Sequence, residues 1–197
     1  MDDCVVVHLI RHEKTQANID RKYIGWTDGP ILMDFPTICT SIQPEVVYGS
    51  DLKRCQQTAK AYFPEATYIG SSDFREYHFG DFEMKTYDQL EHNPIYRGWI
   101  DNPMLISPPN GETFLSFENR ISNQLAAVIT KADTYTFVTH GGMIRLLLAK
   151  FLKEEFQQVH AEHRTLYTVS WDSYKAFKEG QRCTSFSVEP LTGKNNM

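Results

Sequence analysis

Two arginines and two histidines stand just beyond runs of apolar residues: Arg11-His12 after Val5 to Ile10, Arg54 after Glu45 to Gly49, and His140 after Thr134 to Thr139. The planar guanidinium fork suits phosphate oxygens, and neutral imidazole can act as a nucleophile. After His140-Gly141-Gly142 a run of strong helix formers begins, Met143 to Lys150, and the amides that open such a helix favour an anion. The ligand expected from these residues is a phosphoryl group. On residue type alone, either histidine could be the one that attacks.

These side chains must converge, and the elements between them say how. Val5 to Ile10 is a β-branched run of the length of a strand buried on both faces, central in a parallel sheet. Glu45 to Gly49 and Thr134 to Thr139 are two more strands. Ser50-Asp51, of helix-capping type, precedes a helix over Leu52 to Lys60 that stops before Pro64. Ligands of open α/β sheets bind outside the carboxyl ends of the strands, where all four residues emerge. Between these units, Phe114, Phe117, Ile121, Leu125 and Val128 recur at spacings of three and four, predicting one helix within Gly111 to Lys131 that packs on the sheet. Leu166 to Trp171 and Cys183 to Val188 alternate and are expected as edge strands. The fold expected is α/β, a three-layer sandwich with a mostly parallel central sheet flanked by helices. Residues 70–110, rich in aromatics, Gly and Pro with one short helical piece near Tyr87 to Glu91, form an irregular, lid-like insertion in this single domain spanning 1–197. The tail from Thr192 is expected to fray.

Composition narrows the classes. The chain has 197 residues, 41% hydrophobic, 13% aromatic and 23% charged, values of an ordinary globular domain. With 20 Lys and Arg against 25 Asp and Glu, the net charge of -5 gives no global support for nucleic-acid binding. Cys4, Cys39, Cys55 and Cys183 are scattered, without zinc spacing, and read as reduced thiols. The acidic start and the lack of a long apolar run predict a cytoplasmic protein without membrane contact, whose partner is a small phosphorylated substrate. Oligomeric state is left open.

Several motifs resemble the histidine phosphatase superfamily, the phosphoglycerate mutase-like family. They are Leu9-Ile10-Arg11-His12 with Thr15 and Asn18, Tyr23 to Asp28, Ser50 to Arg54 with Thr58-Ala59, Phe74-Arg75-Glu76 with Phe79-Gly80, and Thr139 to Gly142. They run in family order across about three quarters of the chain, from Leu9 to Arg145. The resemblance implies a phosphohistidine mechanism. His12 would be the nucleophile; Arg11, Arg54 and His140 would bind the phosphoryl oxygens and stabilise charge in the transition state. Glu76 would be the general acid and then the base, with nearby Glu83 as the other candidate. Asn18 would add a phosphate or substrate contact. No metal and no cofactor is called for, since the arginines and His140 supply the positive charge. The chain departs from the pattern at Glu13 and Lys14, where the family has Gly and then Glu or Gln, and over the short, irregular Ile31 to Pro44. Glu13 is expected to turn away from the anion pocket and Lys14 to sit at its rim.

Other residues have competing readings. Tyr23, Trp26, Phe79 and Phe82 either line the pocket or pack. Lys14, Arg21 and Lys22 either read a second anionic group or are solvated. His8 reads as core, and His160 and His163 as a helix surface. Three functions remain: a phosphomonoesterase, favoured because the related mutases are generally longer; a phosphoglycerate mutase-type transferase; and a phospholigand-binding module. For the esterase, activity is expected to be greatest on the acidic side of neutrality.

Overall fold

The computed structural model describes residues 3–34 and 37–193. Six strands form one sheet: β1 (Val5–Arg11), β2 (Val46–Ser50), β3 (Thr67–Ser71), β4 (Thr134–Thr139), β5 (Thr165–Trp171) and β6 (Ser185–Pro190), in the order β3-β2-β4-β1-β5-β6. The pairs β1/β4, β2/β4 and β2/β3 are parallel, while β5 runs antiparallel to β1 and to β6. The sheet is thus mostly parallel, with β1 near its middle as its apolar run predicts.

Strand alternation explains the three layers. Val5, Val7 and Leu9 of β1, Tyr135 and Phe137 of β4, and Tyr167, Val169 and Trp171 of β5 share one core. They pack with α5 (Phe114–Val128) and α6 (Gly141–Leu152). The residues between, Ile10, Val138 and Leu166, face a second core with Val47 and with Cys55, Ala59 and Tyr62 of α2 (Lys53–Tyr62). β1, β4 and β5 therefore each feed both cores, as period-two side-chain placement requires.

Local expectations are corrected in four places. Leu166 to Trp171 is not an edge, since β6 pairs along it and forms the edge instead. Residues 70–110 hold more structure than one helical piece. Besides α3 (Tyr87–Leu90) they contain α4 (Pro94–Asp101), and β3 precedes them. Pro94 and Gly98 read as breakers, but proline is tolerated in a first turn, and Asn93 caps this one by accepting from the amides of Ile95 and Tyr96. Ser50 and Asp51 do not cap α2: its N-cap is Leu52, and the Lys53 amide donates instead to Asp28 Oδ1 at 3.0 Å. At the C-terminal end, Thr192 and Gly193 are tied to Cys39 and Ile38 rather than frayed. The remainder of the tail, 194–197, lies outside the described residues. Two short helices complete the fold, α1 (Gln16–Ile19) and α7 (Tyr174–Lys178).

Candidate active site

Sheet register brings the motif residues together. Arg11 pairs with Thr139, and the His12 amide donates to the Thr139 carbonyl at 2.8 Å, so the chain leaves β1 and β4 with His12 beside His140. The two imidazole rings are 5.2 Å apart, nearly edge to face. His12 Nδ1 lies 2.6 Å from the Glu13 carbonyl. A carbonyl can only accept, so Nδ1 carries the proton and the lone pair is on Nε2. Burial, with Arg54 and Arg11 nearby, holds the His12 pKa well below its ordinary value and keeps the ring neutral.

His140 has the opposite tautomer for a similar reason. Arg54 Nε, which only donates, is 3.3 Å from His140 Nδ1, so the neutral ring carries its proton on Nε2. Burial first, then Arg54 and His12, depress the His140 pKa strongly. Arg54 is fully buried, and its other nitrogens donate to the carbonyls of Thr27 at 2.9 Å and Gly25 at 2.6 Å. The Tyr23 to Asp28 loop is therefore laid over Arg54 and pinned again where Asp28 meets α2. Gly25 is required there: a Cβ would stand 2.2 Å from the Tyr77 carbonyl oxygen.

Arg11 donates through Nη1 to the Ala161 carbonyl at 2.7 Å, while its buried Nε has no partner. An orphaned cationic donor costs free energy unless a ligand answers it. His140 is the N-cap of α6 and makes no side-chain cap bond, and of the amides that open the helix, that of Gly142 already meets a carboxylate, Glu76.

The two candidate acids have different environments. Glu76 Oε2 accepts from the Gly142 amide and Oε1 from the Tyr77 amide, each at 2.8 Å, which places its carboxylate at the start of α6. Gly142 permits this approach, since a Cβ would lie 2.2 Å from Oε1. Glu83 instead accepts from the amides of Trp26 and Thr27, at 2.7 and 2.6 Å, and from the Thr27 hydroxyl. It is a fastening for the loop.

Glu13 turns away: its buried carboxylate accepts from Tyr62 Oη at 2.5 Å and Arg164 Nε at 2.9 Å. Lys14 and Arg21 are exposed, and neither lines the cavity described next. Asn18 uses its Oδ1 to accept from Thr15 in the capping box of α1. His8 is buried and bonds across the sheet to Thr168 at 2.9 Å.

Beside this cluster is a cavity of about 590 Å³. Arg11, Glu76, Gly141 and Gly142 form its polar end and Tyr23, Tyr77, Phe79, Trp99, Phe114 and Phe117 its aromatic walls, while Arg145, Gln157, His160 and Glu162 add polar groups to the lining. Tyr23 and Phe79 thus line it, whereas Trp26 and Phe82 do not. Phe82 is core, and Trp26 lies over Arg75 with its Nε1 donating to the Glu76 carbonyl at 3.0 Å. His12, His140 and Arg54 lie behind the polar end, almost wholly covered.

Three residues escaped sequence reasoning. His163 is not on a helix surface: the segment is irregular, and the half-buried ring donates through Nδ1 to the His12 carbonyl at 2.7 Å. Burial and Arg11 push its pKa down to about 4. Glu112 and Arg120 form an ion pair at 2.6 Å behind the Glu76 loop. None of the three had a local signal, because the backbone groups they hold, at His12 and along residues 73–78, are 34 or more positions away. His160 is exposed at the cavity wall. Among the described residues no group of three His, Cys, Asp or Glu side chains is arranged to hold a metal ion, and no helix is long and apolar enough to cross a membrane.

Comparison with known proteins gives the chain's relatives. Among curated relatives, the adenosylcobalamin/alpha-ribazole phosphatase of Escherichia coli K12 is 29% identical over 157 residues, covering 73% of this chain and 77% of the relative. A 2,3-bisphosphoglycerate-dependent phosphoglycerate mutase of Bartonella bacilliformis is 24% identical over 164 residues, covering 71% and 78%. Among solved structures, the alpha-ribazole phosphatase of Shigella flexneri superposes with a TM-score of 0.76 at 22% identity, covering 94% of this chain and 95% of that one. Bacillus stearothermophilus YhfR gives 0.75 at 22% identity, covering 94% and 96%. A family model matches residues 7–187, and with it the chain belongs to the histidine phosphatase superfamily, branch 1.

Proposed function

We propose that the protein is a phosphomonoesterase working through a phosphohistidine on His12, on small phosphorylated metabolites with a bulky apolar alcohol portion. The observation that carries this is the neutral His12 ring, held with its Nε2 lone pair free by the Glu13 carbonyl and set among Arg11, Arg54 and His140. In the first step Nε2 bonds to phosphorus as the ester P–O bond breaks, and Glu76 gives its proton to the departing oxygen. In the second step water attacks phosphorus, the N–P bond breaks, and Glu76 takes the water proton. Arg11, Arg54 and His140 surround the phosphoryl oxygens, with the start of α6 adding its field. Cys55 does not compete, since burial pushes its thiol up to about 12 and keeps it protonated.

The aromatic walls favour a flat or greasy leaving alcohol over a small multiply charged one, which speaks for hydrolysis of such esters and against a phosphoglycerate substrate. The relatives' names make alpha-ribazole phosphate a natural first compound to assay. An acid phosphatase-type pH preference fits a nucleophile that stays neutral below the usual imidazole range. The test is alkaline-quench labelling with a ³²P-labelled phosphomonoester, the trapped label then being exposed to acid. Acid-labile label on the wild-type chain and none on His12→Ala is expected, and the rates should be unchanged by EDTA. Label retained in His12→Ala, or a preference for 3-phosphoglycerate over aromatic esters, would overturn the reading.

A further inference from the structure

We propose that Arg120, fixed by Glu112, is the positioning residue that aims the Glu76 carboxylate; this rests on Glu76 being the general acid. Residues 75–79 have no regular secondary structure, so side chains must set the path of the backbone that carries Glu76. Arg120, on α5, spends its whole fork on that task. Nη1 donates to the carbonyls of Asp73 at 2.8 Å and Arg75 at 2.7 Å, and Nη2 donates to the Glu76 carbonyl at 2.8 Å. Nε and Nη2 also reach the two oxygens of Glu112, at 2.9 and 2.6 Å. Glu112 Oε1 in turn accepts from the His78 amide at 2.8 Å, just past Glu76. The guanidinium lies 5.0 Å from the Phe117 ring and 5.9 Å from that of Trp26, whose own Nε1 shares the Glu76 carbonyl.

The charge of Arg120 is answered by Glu112, so its effect on Glu76 is geometric. It fixes the main chain at Glu76 from behind, while the Gly142 and Tyr77 amides hold the carboxylate in front. Lysine retains the charge but cannot place donors on three carbonyls and a carboxylate at once. With the fork gone, the acid is expected to lose its aim, and an error near 1 Å costs about 10²-fold when a proton must be delivered in the transition state.

The experiment measures single-turnover phosphorylation of His12 by an alkyl phosphate and by p-nitrophenyl phosphate, in wild type, Arg120→Lys, Arg120→Met and Glu76→Gln. The ratio of the two rates on one preparation cancels any loss of folded enzyme, so a destabilised variant still gives an answer. Glu76→Gln should slow the alkyl substrate by roughly 10²–10⁴-fold and the nitrophenyl substrate much less, because only an alkoxide needs the proton. Both Arg120 variants should shift the ratio the same way, by about 10–10²-fold. An unchanged ratio in the Arg120 variants, with a shifted one in Glu76→Gln, overturns the positioning role alone. An unchanged ratio in Glu76→Gln overturns the acid role itself, and the positioning role with it.

Discussion

At the level of single residues, the site is a set of protonation states fixed by partners that cannot change theirs. A carbonyl accepts from His12 Nδ1, and a guanidinium donates to His140 Nδ1; the two histidines thus take opposite tautomers, as the proposed division into nucleophile and phosphate-binding group requires. His12→Ala is expected to abolish turnover with little change in melting temperature, since no other group presents a lone pair where Nε2 stands. Ordinary turnover in that variant would refute the assignment. The depressed His12 pKa makes a second expectation. As the proposed nucleophile, His12 is lost only when protonated, so the acid limb of kcat/KM for phosphorylation should fall below the ordinary imidazole value of 6.5. A pH–rate profile with a limb centred at or above 6.5 would contradict it. The motif residues were legible in the sequence because each sits within a few positions of its strand end. His163, Glu112 and Arg120 were not, because a contact to His12 spanning 151 residues leaves no periodic trace.

Elements supply what residue types cannot: where the apolar walls stand. The parallel core was readable from β-branched runs, but β3 and α4 were hidden, one by its exposed edge position with Gly70 inside it, the other by Pro94 and Gly98. α4 matters for function because it carries Trp99, nearly buried and in ring contact with Tyr23, Tyr77, Phe79 and Tyr96. Trp99 joins the insertion to the cavity wall, so its loss should weaken binding of the alcohol portion while sparing the phosphoryl chemistry. Trp99→Leu, which keeps apolar bulk, is expected to raise KM for an aromatic ester about tenfold, with kcat and the KM of a small alkyl ester nearly unchanged. That corresponds to about 1.4 kcal/mol, within the worth of an aromatic contact. Steady-state kinetics on the two esters decides it; a uniform fall in kcat for both would mean that α4 only supports the fold.

Across the whole molecule, the chemistry puts a liability into the fold. His12 and His140, both buried, and the half-buried His163 form one group at the proposed phosphoryl site, and desolvation is the first cause of the lowered pKa of each. For a group with a depressed folded-state pKa, the unfolded chain binds more protons between that value and about 6.5, so stability is complete above 6.5 and declines as pH falls through this window. Each group contributes up to ~1.4 kcal/mol per pH unit there, against a total of about 5–15 kcal/mol for an ordinary domain. For His163 the window closes at about 4. Asp51 and Asp133, whose pKa values are lowered from 3.8, oppose unfolding until lower pH still. The melting temperature should therefore stay level above pH 7 and start to drop just below 6.5, before carboxylate protonation contributes. His163→Asn retains a donor for the His12 carbonyl but cannot titrate, so it should flatten the decline between pH 6.5 and 4 while leaving the value at pH 8 within a few degrees of wild type. A melting temperature flat to pH 4 in the wild type would show that these rings are not held neutral against water, and the same slope in His163→Asn would show it for His163.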